Sequence, residues 1–301
     1  MSCEQASAGS ALSGSAYFKA KYEEYSLAVN AALKEALSGI NCHEKLLESM
    51  SYSVNAGGKR VRPILFFAAL DGLNIDYKKY YGFGAALELL HTYSLIHDDM
   101  PCMDNDDYRR GKLTNHKVFG EAFALLSGDA LLNLAYETAL GCVSNKNDLA
   151  ALKEFASLAG ARGMINGQAY DLDENKKNDE ATLTVIDKNK TGKLLTAPFT
   201  MASLIAGGKN FNEYKTLGET FGKLFQWTDD LLDVKSSFEK MGKTPGKDKV
   251  QGKVTAVSVY GEETAEKMVQ NAFMSCIKIC KIIDGGWFFE DYFKIITERL
   301  G

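Results

Sequence analysis

Only four prolines, Pro63, Pro101, Pro198 and Pro245, punctuate this 301-residue chain. An interior proline costs a helix about 3 kcal/mol, so a chain this poor in proline can sustain long helices. The apolar pattern says that it does. Phe119, Phe123, Leu126, Ala130 and Leu134 recur every three or four residues and fall on one stripe; Leu217, Phe221, Leu224, Phe225 and Leu231 follow the same period. No run alternates with period two, and no solenoid-type repeat is present. Three polar stretches read as loops: Pro101–Gly111, Asp171–Glu180 and the lysine-rich Lys235–Lys253. Helical patterning resumes on both sides of each, so residues 17–301 read as one all-α domain. Residues 1–16, rich in Ser, Ala and Gly, read as a disordered leading segment.

Composition excludes several functions. A net charge of −4 lacks the basic excess of a nucleic-acid binder. No stretch of about 18 apolar residues suggests a membrane span, and the leading segment lacks the basic and apolar regions of a signal peptide. The six cysteines form no zinc-spaced set. They read as buried structural thiols in a reducing compartment, which places the chain in the cytoplasm.

Two acid clusters carry the chemistry, and each closes an apolar helical run. The first contains Asp98, Asp99 and Asp104; the second contains Asp229, Asp230 and Asp233. Asp229 and Asp233 are about 40° apart on a helix turning ~100° per residue, so they project together. Asp98 and Asp104 lie across Pro101, so the helix must end or bend before they can meet. Crowded carboxylates resist one another's ionisation and persist where a cation neutralises them. Magnesium suits this role, being held by a few carboxylates plus substrate phosphates. Either cluster alone could be a solvated acidic helix end; two of them argue for a shared metal site.

Basic groups match an anionic substrate. Gly57-Gly58-Lys59-Arg60-Val61-Arg62 places three cations after a Gly-Gly pair, and Arg109-Arg110 follows the first acid cluster. Lys190-Thr191-Gly192-Lys193 and Gly242-Lys243-Thr244 add further cationic loops. Arginine forks match phosphate oxygens, and lysine supplies a point charge. None has P-loop spacing, and no nucleophile stands beside a base. The pattern suits two anionic ligands, one held through metal ions and one by cations alone.

These residues resemble the trans-prenyltransferase family of polyprenyl diphosphate synthases, and within it the bacterial farnesyl diphosphate synthases. The resemblance covers roughly Ser51 to Tyr260 and rests on GGKRVRP, LELLHTYSLIHDDMPCMDNDDYRRGKLTNHKVFGEA, GDALL, GQAYDLD, NKTG, FQWTDDLLD and GKTPGKD. It implies an isoprenoid-synthase-type helical bundle around a deep central cavity, as a homodimer, with three Mg2+ ions between the clusters and the allylic diphosphate. By motif position Asp98, Asp99, Asp104, Asp229, Asp230 and Asp233 resemble the metal ligands. Lys59, Arg62, His91 and Arg110 resemble the isopentenyl diphosphate clamp. Arg109, Lys190, Thr191, Gln226 and Lys243 resemble the groups that serve the allylic substrate.

The implied reaction is condensation of isopentenyl diphosphate with dimethylallyl or geranyl diphosphate. Lys190, Thr191 and Gln226 would face the allylic cation, and the Lys235–Lys253 loop would act as a lid. Five positions before the first aspartate, where the family often sets its cavity floor, stands the bulky Tyr93, and the cluster carries two extra residues around Pro101 and Cys102. Both features resemble enzymes that stop at farnesyl diphosphate. Helical geometry alone would place Ser94 more nearly beneath Asp98. Trp227 departs from the smaller aliphatic residue usual beside the second cluster and could reshape the cavity.

The alternatives are the same chemistry with a geranylgeranyl product, a terpene cyclase, an HD-type metal phosphohydrolase using His97 and Asp98, and a non-catalytic partner subunit. The phosphohydrolase leaves the second cluster unused, and a cyclase has no need of a second diphosphate clamp.

Overall fold

The computed structural model describes residues 15–235 and 252–298. The expectations for Lys243, for most of the Lys235–Lys253 stretch and for the segment ahead of Ser15 fall outside these residues. Ser15 caps the first helix, its hydroxyl accepting from Phe18 N at 3.1 Å.

Helices dominate, as the proline count and apolar period require. In chain order they are α1 (Ala16–Leu37), α2 (Glu44–Val54), α3 (Val61–Gly72), α4 (Tyr81–Asp98), α5 (Asn115–Phe119), α6 (Glu121–Gly141), α7 (Lys146–Ala159), α8 (Met164–Leu172), α9 (Glu180–Ile186), α10 (Lys193–Ile205), α11 (Phe211–Lys235), α12 (Ala256–Tyr260), α13 (Glu262–Cys280) and α14 (Gly286–Glu298). A short 3-10 turn, Tyr77–Tyr80, leads into α4. Pro63 sits in the first turn of α3, where helical N–H groups have no partner in any case. Pro101 follows the end of α4, and Pro198 lies in the interior of α10.

One hairpin was not expected. Tyr108–Arg109 pairs antiparallel with Lys112–Leu113. Its two-residue turn, Arg110-Gly111, has φ of +55° and +74°. Positive φ at both central residues is the geometry that matches strand twist in the tightest hairpins, and glycine enters it without steric cost.

The interior is built on α3, α4 and α10. Nearly every residue of α10 from Leu194 to Ser203 is buried, so the helix is enclosed on all sides. Between α9 and α10 the chain stays helical but widens into a π turn over Asp187–Gly192. Helix α8 touches this turn directly: a Cβ on Gly167 would stand 2.0 Å from Lys190 N. Helix α11 touches its other side, where a Cβ on Gly222 would stand 2.7 Å from Gly192 Cα. These are backbone-to-backbone contacts that any side chain would wedge apart. They hold the π turn between the two helices that carry the GQAYDLD and FQWTDDLLD motifs.

Gly167→Ala is therefore expected to destabilise the protein by about 1–3 kcal/mol and to cost most of its activity. Denaturant unfolding and an activity assay on one preparation check both; an unchanged protein would mean that α8 does not hold the turn.

Candidate active site

Both acid clusters reach one cavity. Helix α4 ends at Asp98, and the chain doubles back through Pro101 so that Asp104 N donates to the Asp98 carbonyl at 2.9 Å. The bend anticipated at Pro101 thus returns Asp104 to Asp98. From the opposite side α11 presents Asp229 and Asp230. The cavity between them, about 180 Å³, is lined by Asp98, Asp104, Asp229, Asp230, Arg109, Asp171, Asp187, Lys190, Thr191, Gln226 and Lys253.

A larger space of about 360 Å³ shares Asp98, Lys190 and Thr191 with it and is lined mainly by apolar surface. Tyr93, Ser94, Leu95, Met103, Leu132, Met164 and Ile165 form most of its wall, with Arg62, His91, His97, Asp129 and Gln168. That size lies in the range of small-molecule pockets. Acid clusters at the mouth and an apolar shaft beneath them form one continuous arrangement.

Not every expected ligand reaches the cavity. Asp99 is 3% exposed and faces Arg109, whose Nε donates to both carboxylate oxygens at 2.8 and 3.1 Å. It lines a separate small pocket between α2, α4 and the hairpin. The reason is helical geometry: Asp99 follows Asp98 at about 100° around the axis, and a guanidinium waits there. Burial lifts its carboxyl to about 6, with Arg109 opposing the rise. Asp233 is also buried and does not line the cavity. Although it shares a helix face with Asp229, it lies one turn beyond the space that Asp229 and Asp230 border.

The cations divide in the same way. Lys190 Nζ donates to Asp171 Oδ2 at 2.6 Å and lies 3.8 Å from Asp98 Oδ1. Burial lowers its pKa, but Asp98 and Asp171 outweigh burial and raise it. Lys253 Nζ donates to Asp104 Oδ2 at 2.7 Å. Burial raises the Asp104 carboxyl, while Lys253 and Lys190 more than reverse this and hold it below the ordinary range. Arg62 and His91 adjoin the apolar shaft, and Arg62 Nε is buried without a hydrogen-bond partner. Burial brings the Arg62 guanidinium down to about 10, with Glu88 opposing. Burial, aided by Arg62 and Arg110, keeps the His91 imidazole well below its usual pKa and so neutral.

Arg110 lies against Gly58, where a Cβ would stand 2.7 Å from Cζ, and donates to the Gly57 carbonyl. It borders the small pocket rather than the shaft. Lys59 is exposed, and its carbonyl accepts from Tyr22 Oη at 3.2 Å. Arg60, between the two clamp residues, is structural: it is buried and donates to Glu88 at 3.0 Å and to the Val54 carbonyl at 2.7 Å.

Thr191 Oγ1 donates to Gln226 Oε1 at 2.7 Å, and Gln226 Nε2 donates to Asp230 Oδ1 at 2.8 Å. This chain joins the π turn to the second cluster. Trp227 does not line the cavity or the shaft; its Nε1 donates to Asp187 Oδ2 at 2.8 Å. Sequence reasoning assigned no role to Gln168, Asp171 or Asp187, and took Lys253 only as the end of an expected lid. Gln168 Nε2 donates to Asp98 Oδ1 at 2.6 Å. The GQAYDLD motif was the available signal for Gln168 and Asp171, and the lysine-rich stretch was the signal for Lys253; Asp187 had none beyond neighbouring a motif. His97 Nε2 pairs with the Leu125 carbonyl at 3.0 Å across α6, so its ring is not presented with Asp98 as a metal dyad.

The donors fit magnesium. The carboxylates on the cavity are hard oxygen ligands, and no cysteine lines it. Among the described residues no three His, Cys, Asp or Glu side chains converge closely enough to hold an ion unaided. A ligand set completed by phosphate oxygens is the way magnesium is commonly bound.

Comparison with known proteins agrees with this geometry. The polyprenyl synthetase family model matches residues 43–281, extending past the Tyr260 limit of the motif resemblance. Farnesyl diphosphate synthase of Micrococcus luteus is 44% identical over 234 residues, 75% of this chain and 79% of that protein. Geranylgeranyl pyrophosphate synthase 4 of Arabidopsis thaliana is also 44% identical, over 252 residues, 80% of this chain and 67% of that protein. The crystal structure of a geranyltransferase from Helicobacter pylori, complexed with magnesium and isoprenyl diphosphate, superposes with a TM-score of 0.77 at 29% identity, covering 93% of this chain and 95% of that one.

If Asp99 braces the hairpin through Arg109, Asp99→Asn should destabilise the fold by about 1–3 kcal/mol, read as a lowered denaturant midpoint. An unchanged midpoint would return Asp99 to the list of metal ligands.

Proposed function

This chain belongs to the polyprenyl synthetase family and is a prenyltransferase, and we propose that it joins isopentenyl diphosphate to dimethylallyl and then geranyl diphosphate, releasing farnesyl diphosphate. The observation that carries the proposal is the pairing of two acid clusters at the mouth of one apolar shaft, with Lys190, Thr191 and Gln226 between them.

We assign Asp98, Asp104, Asp229 and Asp230 to the metal site, with Asp99 and Asp233 as supporting residues. These carboxylates would hold magnesium, expected as three ions, which when bound would supply neutralisation of the charge that builds on the leaving group. Lys190, Lys253 and Arg109 add fixed positive charge at that point; Lys243 is expected to join them. The allylic C–O bond breaks and its electron pair departs with the diphosphate. Arg62 and His91, with Lys59 and Arg110, hold isopentenyl diphosphate so that its alkene electrons attack the allylic carbon. A proton then leaves the new chain for the released diphosphate. The Thr191 hydroxyl, the Gln226 amide oxygen and the Lys190 carbonyl would offer partial negative charge to the cation, and apolar walls would keep water from it.

Product length depends on the shaft. Tyr93, 5% exposed, and Ser94 both border it. The Tyr93 ring meets His97 edge-on at 5.7 Å, and a bulky floor supports a fifteen-carbon limit. Relatives are named for both farnesyl and geranylgeranyl products, so geranylgeranyl diphosphate is the second reading. A homodimer is also proposed, through α6. That helix is apolar on most sides, yet Leu125, Leu126 and Leu140 are 47%, 51% and 60% exposed, and a helix apolar all round needs a partner surface. No helix among the described residues is long and apolar enough to cross a membrane; the cytoplasm is the compartment proposed.

Purified protein given isopentenyl and dimethylallyl diphosphates should yield farnesyl diphosphate with magnesium and nothing in excess chelator. A geranylgeranyl product on chromatography would shift the assignment to the second reading. Asp98→Asn should lower turnover by roughly 10²–10³-fold or more in the same assay with the fold intact. Tyr93→Ala should lengthen the product; if that variant still stops at fifteen carbons, Tyr93 is not the floor.

A further inference from the structure

The helix running from Glu180 to Ile205 changes from α to π at Asp187 and returns to α at Lys193. Such a widening has no unique place in a helix by itself. Moving it rotates each residue it passes by about 100°, and Lys190 and Thr191, which lie within it, would be carried off the cavity by a shift that passes them. Something outside the helix must therefore pin where the widening begins and ends. The end is pinned at Gly192, whose backbone lies against Gly222 of α11. The beginning is Asp187, 5% exposed, and its carboxylate takes the Trp227 indole N–H at 2.8 Å.

Trp227 adjoins Gln226, which receives the Thr191 hydroxyl, and is followed two residues later by Asp229. Residues 222, 226 and 227 of α11 thus grip residues 192, 191 and 187 of the π turn. The indole is half-buried and Asp187 Oδ2 is its acceptor, so losing the carboxylate would leave the N–H without that partner. The carboxylate needs the indole too: burial lifts Asp187 to about 7, and the indole opposes that rise.

We propose that Trp227 and Asp187 are a pair of positioning residues that set the register of the π turn and thereby aim Lys190 and Thr191 at the reacting carbon. The inference rests on the prenyltransferase reading of the site. Neither side chain performs a chemical step. The pair acts by keeping three cation-facing groups in place, so its loss should appear in the chemical step more than in substrate binding.

The test uses the full-length protein. Trp227→Phe removes the donor while keeping an aromatic ring, Asp187→Ala removes the acceptor, and Asp187→Asn keeps an oxygen acceptor. Trp227→Phe and Asp187→Ala should each slow single-turnover condensation about 10- to 100-fold, with the KM of both substrates within about threefold. Combined, they should be no worse than the more damaging single change, because both break one contact. Asp187→Asn should retain at least about a third of the parent rate, as a conservative replacement that keeps the bond.

Amide hydrogen exchange needs no substrate. It should quicken across residues 188–195 in Trp227→Phe while α3 and α4 stay protected. A Trp227→Phe rate within threefold of the parent, multiplying losses in the double variant, or unchanged exchange in the π turn would each overturn the proposal. A parent protein that condenses nothing would overturn the function assigned to the site, while the exchange measurement would still decide whether the clasp exists.

Discussion

Carboxylates gathered at the mouth of an apolar shaft repel one another, and the candidate site is organised around offsetting that repulsion. Lys190 stands between Asp98 and Asp171, Lys253 is on Asp104, and Arg109 faces Asp99. Each cation keeps a neighbouring acid compatible with burial, since an uncompensated buried charge is far more costly than a paired one. The same cations border the space where a diphosphate would lie. Charges that let the fold tolerate its acids are thus the charges available to stabilise a leaving anion, without rearrangement of the scaffold.

That arrangement depends on close backbone approach. Lys190 and Thr191 ride on a π turn held between α8 and α11, and glycines at 167, 192 and 222 allow the three backbones to touch. Rigid elements hold functional groups more precisely than loops do. Here many of the groups facing the cavity sit on helices or the π turn, while Asp104 and Lys253 lie in connecting segments. The hairpin carrying Arg109 and Arg110 is braced by Asp99 and by the Gly57 carbonyl.

The second substrate's expected clamp follows a different plan. Arg60, Arg62, Arg110 and Glu88 cluster in a largely buried place where three positive charges meet one negative. Glu88 Oε2 and Arg62 Nε are buried there without hydrogen-bond partners. A site with surplus positive charge and unspent hydrogen-bonding capacity suits an anion bound by cations alone, in contrast to the acid-lined mouth a few residues further along α4.

Much of the outline was legible in the chain. Scarce prolines and a 3.6-residue period determine an all-helical fold, because those properties act locally and need no knowledge of distant contacts. The residue types in the two clusters determine a hard-cation chemistry, because six aspartates at apolar helix ends have few other uses. Which aspartates face the cavity was decided only in three dimensions. Asp98 and Asp99 are neighbours in sequence, yet helical rotation and the placement of Arg109 send them to different pockets. Asp229 and Asp233 share a face, yet the cavity borders Asp230 instead. The π turn, the Thr191–Gln226–Asp230 chain and the turning of Trp227 toward Asp187 likewise required the packed structure. Each depends on where two remote helices approach, and that distance is a property of the assembled core rather than of any one segment.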